Sequence, residues 1–145
     1  MRDLTGKLGN SLTDLQKFFQ GQPNITAVYV FGSFGTEYEH PFSDIDFGII
    51  VNTENLTLRD EMAIEALLCS ILNRDSVDLV NLNKAPLKIQ YRAISEGYLI
   101  YEGNYEHHSS FLERVYKRYL DYLPDLNVYE REYEKALKEA YSNRG

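Results

Sequence analysis

The chain has 145 residues, of which 43% are apolar and 26% are charged, and its formal net charge is −7. This composition is typical of a soluble globular protein, and the length predicts a single domain over residues 1–145. An acidic chain is poorly suited to bind a nucleic-acid backbone, which requires clustered lysine and arginine, so direct nucleic-acid binding is not expected.

Secretion and membrane insertion are not expected from the sequence either. The longest apolar runs are too short to span a bilayer, and the first residues are polar and mixed in charge, unlike a signal peptide. Cys69 is the only cysteine, which excludes an intrachain disulfide and a cysteine zinc cluster. We therefore expect a cytoplasmic protein.

Hydrophobic periodicity predicts a first helix and then four strands with helices between them. Leucine and phenylalanine recur at three- and four-residue spacing over residues 4–19, which is typical of an amphipathic helix. Runs rich in valine, isoleucine and aromatic residues predict strands at 25–31, 45–51, 77–82 and 98–101. Between the first two strands, residues 34–39 are expected to form a short helix or turn.

Local signals predict the remaining helices. Thr57 and Asp60 resemble a capping box at the start of a helix that reaches residue 72. Pro86 and Gly97 suit the first turn and the C-terminal cap of the next helix. Residues 105–141 are expected to form helices interrupted at Pro124.

This order of elements predicts the fold class. The chain should form an α/β (α+β) domain with a small mixed sheet, helices packed against it and a C-terminal helical extension. The core is expected at about residues 25–102, and the extension at about 105–141.

Two aspartates, Asp44 and Asp46, lie one residue apart at the head of the most apolar strand. Because side chains alternate along a strand, both point the same way, with Cα atoms about 6–7 Å apart. Two such charges within about 4 Å repel by roughly 4 kcal/mol at an effective dielectric near 20. A hard divalent cation such as Mg²⁺ would relieve this repulsion, although a solvated strand end is the alternative.

Two further features complete the candidate site. Gly32-Ser33 follows the first strand, where free N–H groups and the serine hydroxyl could hold a phosphate; an ordinary turn capped by Ser33 is the alternative. Asp78 lies within the third strand, where a charged side chain is seldom buried without a partner; an edge-strand position facing water is the alternative. Together these features are what metal-assisted phosphoryl or nucleotidyl transfer requires, in which two ions can clamp the attacking and leaving oxygens.

The spacing of these motifs resembles that of a known superfamily. Gly32-Ser33, ten residues and Asp44-Ile45-Asp46 together resemble the signature of the polymerase-β-like nucleotidyltransferases. The small size and the position of Asp78 resemble the minimal nucleotidyltransferases (MNT), and the resemblance covers roughly residues 25–102. It implies that the triphosphate of ATP is held by Gly32 and Ser33, and Mg²⁺, as two ions, by Asp44, Asp46 and Asp78. Asp78 would also activate the acceptor hydroxyl.

The resemblance also implies a biological role. MNT proteins are commonly antitoxins, which transfer AMP from ATP to a tyrosine of a partner HEPN ribonuclease toxin and also bind that toxin. Two alternatives stay open: a non-catalytic antitoxin that neutralises by binding, and a nucleotidyltransferase acting on a small molecule such as an aminoglycoside.

One departure from the superfamily bears on nucleotide binding. Members often carry Ala-Arg-Gly shortly after the Gly-Ser motif, whereas this chain has Gly35-Thr36-Glu37 and lacks the basic residue. Lys84, Lys88 and Arg92 are candidates to supply the missing positive charge.

Overall fold

A four-stranded mixed sheet forms the centre of the computed structural model, which describes residues 8–32 and 45–142, without the side chains at 124–130, 141 and 142. The strands are β1 (Ile25–Phe31), β2 (Ile45–Val51), β3 (Val77–Asn81) and β4 (Tyr98–Glu102), in the order β3-β2-β1-β4. β1 pairs antiparallel with β2 and β4, and β2 pairs parallel with β3. The predicted mixed α+β fold is confirmed.

Four helices lie within the described residues: α1 (Asn10–Gln20), α2 (Leu58–Leu72), α3 (Leu87–Glu96) and α4 (Tyr105–Ser142). The predicted capping box is present, because the Thr57 hydroxyl accepts from the Asp60 N–H at 3.1 Å and the Asp60 carboxylate accepts from the Thr57 N–H at 2.9 Å. α2 ends at Asn73 in the left-handed conformation. The short helix expected at 34–39 lies outside the described residues.

Helices cover both faces of the sheet. On one face, alternate residues of β2 pack with side chains of α1 and α2, including Leu15, Phe19 and Leu68. On the other face, residues such as Tyr29 and Ile50 pack against α3 and α4. This double cover explains why almost every position of β1 and β2 is apolar and buried.

The C-terminal extension is one helix, so the predicted interruption at Pro124 is wrong. Helix α4 runs from Tyr105 to Ser142. An interior proline removes one backbone hydrogen bond and lowers helix stability by about 3 kcal/mol. Here the helix continues on both sides of Pro124. Phe111 and Val115 anchor the first turns in the core, whereas residues 131–140 are all exposed. No helix of the described chain has an apolar stretch sufficient to cross a bilayer.

Candidate active site

Asp46 and Asp78 lie side by side in the sheet. Asp46 is paired with Asp78 across the parallel β2–β3 ladder and with Phe31 across the antiparallel β1–β2 ladder. Paired residues on neighbouring strands direct their side chains to the same face, with strands about 4.7–4.9 Å apart. The two carboxylates therefore share the face that α3 and α4 cover further along the sheet, whereas Asp44 and Ser33 lie outside the described residues.

Backbone hydrogen bonds at both ends of β3 fix this register. The Ile45 N–H donates to the Ser76 carbonyl at 2.9 Å, and the Leu82 N–H donates to the Ile49 carbonyl at 2.8 Å. A slip of one residue would move Asp78 to the opposite face, so these contacts decide whether the carboxylates meet.

Asp78 occupies the outer strand of the sheet and is exposed, while Asp46 on the inner strand is half-buried. The backbone of this edge is held by α2, because the Leu79 N–H donates to the Glu65 carboxylate at 3.0 Å. Asp78 therefore faces water on an edge strand and also stands beside Asp46. The expected edge-strand position of Asp78 is thus present, and its role as a metal ligand stays a prediction.

Gly32 brings the end of β1 against the Asp46 carboxylate. Its φ angle is +82°, and a Cβ atom built there would lie 2.2 Å from Asp46 Oδ2. Only a glycine permits both this backbone conformation and this approach. Gly32 at the end of β1, Asp46 on β2 and Asp78 on β3 therefore lie side by side across the sheet.

A cavity of about 540 Å³ opens beside the two carboxylates. Among the described residues, its acidic lining is Asp46, Asp78 and Glu61, and its basic lining is Lys84 and Arg92. The apolar part of the wall is formed by Phe31, Leu79, Val80, Ala85, Pro86 and Ile89. Of the three basic residues proposed from the sequence, Lys84 and Arg92 line this cavity and Lys88 does not.

The donor atoms present suit magnesium. Asp46 and Asp78 supply neighbouring carboxylates, and carboxylate oxygens are the protein ligands that Mg²⁺ prefers. Within residues 8–32 and 45–142, no group of three histidine, cysteine, aspartate or glutamate side chains is placed to hold a metal ion. The third predicted ligand, Asp44, lies outside those residues.

Hydrogen-bonded polar side chains connect β1, β4 and α4, and no pattern in the sequence predicts them. The Tyr29 hydroxyl lies 2.7 Å from His108 Nε2, and His108 Nδ1 is hydrogen-bonded to the Glu102 carboxylate. Burial, and then electrostatic interaction with Tyr116 and Glu102, raises the pKa of Tyr29 to about 12. This chain joins α4 to the sheet and does not line the cavity beside Asp46 and Asp78.

The family of the chain follows from comparison with known proteins. Residues 13–106 match the family model described as polymerase beta, nucleotidyltransferase. The chain belongs to this nucleotidyltransferase family, and the resemblance inferred from the motifs is confirmed. No curated protein sequence matches the chain.

Solved structures of toxin–antitoxin proteins share the fold. A mutant of the toxin–antitoxin MntA–HpeT has a TM-score of 0.66 at 21% identity, over 80% of this chain and 91% of that chain. A toxin–antitoxin with AMP-PNP has a TM-score of 0.64 at 22% identity, over 80% and 90%. A complex of tri-AMPylated Shewanella oneidensis HEPN toxin with MNT antitoxin has a TM-score of 0.62 at 20% identity, over 80% and 89%.

Proposed function

We propose that the protein is a Mg²⁺-dependent adenylyltransferase of the cytoplasm that transfers AMP from ATP to a tyrosine of a HEPN toxin. By this transfer, and by binding the toxin, it acts as an antitoxin. The observation that carries the proposal is the alignment of Asp46 with Asp78 beside Gly32. It is supported by family membership and by the structural neighbours, of which one contains AMP-PNP and another an AMPylated HEPN toxin.

The chemistry assigns a role to each residue. Gly32 and Ser33 hold the triphosphate at the end of β1, where backbone N–H groups can meet it. Asp44, Asp46 and Asp78 would hold two Mg²⁺ ions, which when bound neutralise the phosphates and align the attacking and leaving oxygens.

Asp78 is the residue best placed to accept the acceptor's proton. It is exposed, it lines the cavity and it lies on the outer strand, where an incoming hydroxyl can approach. The hydroxyl oxygen bonds to the α-phosphorus of ATP, the bond to the bridging oxygen breaks, and pyrophosphate leaves.

Labelled ATP tests this function directly. The purified chain is mixed with Mg²⁺, ATP labelled at the α-phosphate and the HEPN protein encoded beside it, and the transferred mass is located by mass spectrometry. We expect one or more AMP groups on a tyrosine, and Asp46→Asn to lower the rate by about 100-fold or more. Asp75→Asn is the matched control, because Asp75 is exposed just before β3 and does not line the cavity.

Toxin neutralisation separates catalysis from binding. If no label is transferred and Asp46→Asn neutralises the toxin as well as the parent chain, the catalytic proposal is wrong. Neutralisation by binding alone would then stand. The exposed apolar side chains along α4 favour that second candidate, since Leu120, Tyr133 and Leu137 are 64%, 58% and 41% exposed.

A further inference from the structure

The cavity beside the carboxylates lies mainly on the Asp78 side of the site. In the sheet order β3-β2-β1-β4, Asp46 lies between β1, which ends at Phe31 just before Gly32, and β3, which carries Asp78. Most of the described residues that line the cavity belong to β3, to α3 or to the connection between them, whereas β1 contributes Phe31 and not Gly32. The cavity therefore extends from Asp46 mainly toward β3 and α3, where a second substrate can lie beside the carboxylates.

Among the described residues, Lys84 and Arg92 are the cations that line this cavity, and each contacts a residue outside the lining. Lys84 Nζ donates to the Leu56 carbonyl at 3.3 Å, which leaves further N–H donors on the ammonium group. Arg92 contacts Glu96 at 3.7 Å, with side chains 56% and 70% exposed, and such surface pairs are weak. Both side chains can therefore bind an incoming anion.

We propose that this cavity binds the acceptor, and that Lys84 and Arg92 bind an anionic group next to the hydroxyl that receives AMP. The inference rests on the proposed function and names a feature of its acceptor. The acceptor oxygen would bond to the α-phosphorus of ATP as pyrophosphate leaves, and its proton would pass to Asp78. Lys84 and Arg92 would be positioning residues in this step.

The position of the two cations argues for the acceptor rather than for the triphosphate. The triphosphate is expected at Gly32-Ser33, on the β1 side of Asp46, whereas both cations stand with Asp78 around the cavity. Pro86, Ile89 and Val80 add an apolar wall suited to a ring. A hydroxyl flanked by a ring and an anion would satisfy all three parts of the lining.

Two groups of the acceptor could supply this anion, and both carry negative charge on oxygen. One is a carboxylate of the acceptor protein near the target hydroxyl. The other is the phosphodiester of an AMP group that the acceptor already carries, and the toxin in one structural neighbour is tri-AMPylated. Guanidinium and ammonium groups bind either anion through charge-assisted hydrogen bonds.

Steady-state kinetics of four variants test the inference. For Lys84→Ala and Arg92→Ala we expect the KM for the HEPN acceptor to rise about tenfold, as typical for a lost hydrogen bond to a charged group, while the KM for ATP stays within about twofold. Lys88→Ala is the control, since Lys88 is exposed on the same helix as Arg92 and lies outside the cavity. Lys84→Arg should restore acceptor binding.

The results separate every case. A higher KM for the unmodified acceptor identifies a carboxylate of the protein, and one confined to the singly AMPylated acceptor identifies the phosphodiester. A higher KM for ATP with an unchanged KM for the acceptor would overturn the inference, as would no change in either. If the parent chain transfers no AMP at all, the proposed function itself is wrong.

Discussion

A Cβ atom on Gly32 would lie 2.2 Å from Oδ2 of Asp46, so the backbone at the end of β1 touches the carboxylate at the head of β2. The contact couples the turn expected to hold phosphate to a residue expected to hold metal. A larger residue at position 32 would displace the Asp46 carboxylate, and the φ angle of +82° would also strain its backbone.

Gly32→Ala should therefore impair both stability and activity. The new methyl group would displace the Asp46 carboxylate, and the positive φ adds strain of about 1–3 kcal/mol. We expect a lower midpoint in urea denaturation and a loss of AMP transfer larger than the loss of stability explains.

Gly9→Ala is the control that introduces backbone strain without a steric clash. Gly9 shares a positive φ of +52°, but nothing lies within 4 Å of an added Cβ. That variant should lose some stability and keep its activity. Full activity in Gly32→Ala would show that the contact with Asp46 does not matter for catalysis.

Asp78→Asn should lower the turnover number while leaving stability unchanged. A missing general base typically costs about 10²–10⁴-fold in rate, whereas an exposed edge-strand side chain contributes within about 0.5 kcal/mol to folding. Initial rates of label transfer and a urea titration measure the two effects. Retention of the parent rate, with Asp46→Asn inactive, would remove Asp78 from the proposed machinery.

The sequence predicted the strands well because their signal is local. The bounds predicted for β1 and β2 match the structure, since an apolar run covered on both faces differs sharply from the turns around it. The capping box at Thr57 was predictable for the same reason: its two hydrogen bonds join residues three positions apart.

Pairings between distant segments were not predictable in this way. Whether Asp78 meets Asp46 depends on the parallel register of β2 with β3, and the sequence left Asp78 open between a site residue and a surface residue. The contact between Tyr29 and His108 joins residues 79 positions apart and has no local signature. Helix α4 continues through Pro124, although a proline is a local signal for a helix break.

Thr57→Ala should destabilise the protein by about 1 kcal/mol, the usual loss on removing a helix cap. The variant loses the hydroxyl that accepts from the Asp60 N–H at the start of α2. Urea denaturation at neutral pH measures the effect. Thr53→Ala is the control, because its hydroxyl accepts from the Asn55 N–H in the preceding loop and caps no helix. Equal losses in the two variants would contradict a specific role for the cap.

The same capping box predicts a pH dependence. The Thr57 backbone N–H, and then its hydroxyl, lower the pKa of Asp60 below its usual value. A lowered pKa in the folded state stabilises the protein above the usual aspartate range, and this contribution is lost as the pH falls through the folded-state pKa. The stability difference between the parent and Asp60→Asn should shrink on acidification, and a difference constant with pH would refute this.

Tyr29→Phe should destabilise the protein by about 1–3 kcal/mol, because it leaves the buried His108 Nε2 without its hydrogen-bond partner.

Burial raises the pKa of Tyr29 from 10.0 to about 12, so the folded state holds this proton more tightly than the unfolded state. The associated stability is complete below pH 10 and is lost as the pH rises toward 12. The gap in unfolding free energy between parent and variant should therefore narrow over this range. Tyr105→Phe, at a side chain that is 71% exposed, should follow the parent, and a gap that stays constant to pH 12 would show that Tyr29 ionises as a surface tyrosine does.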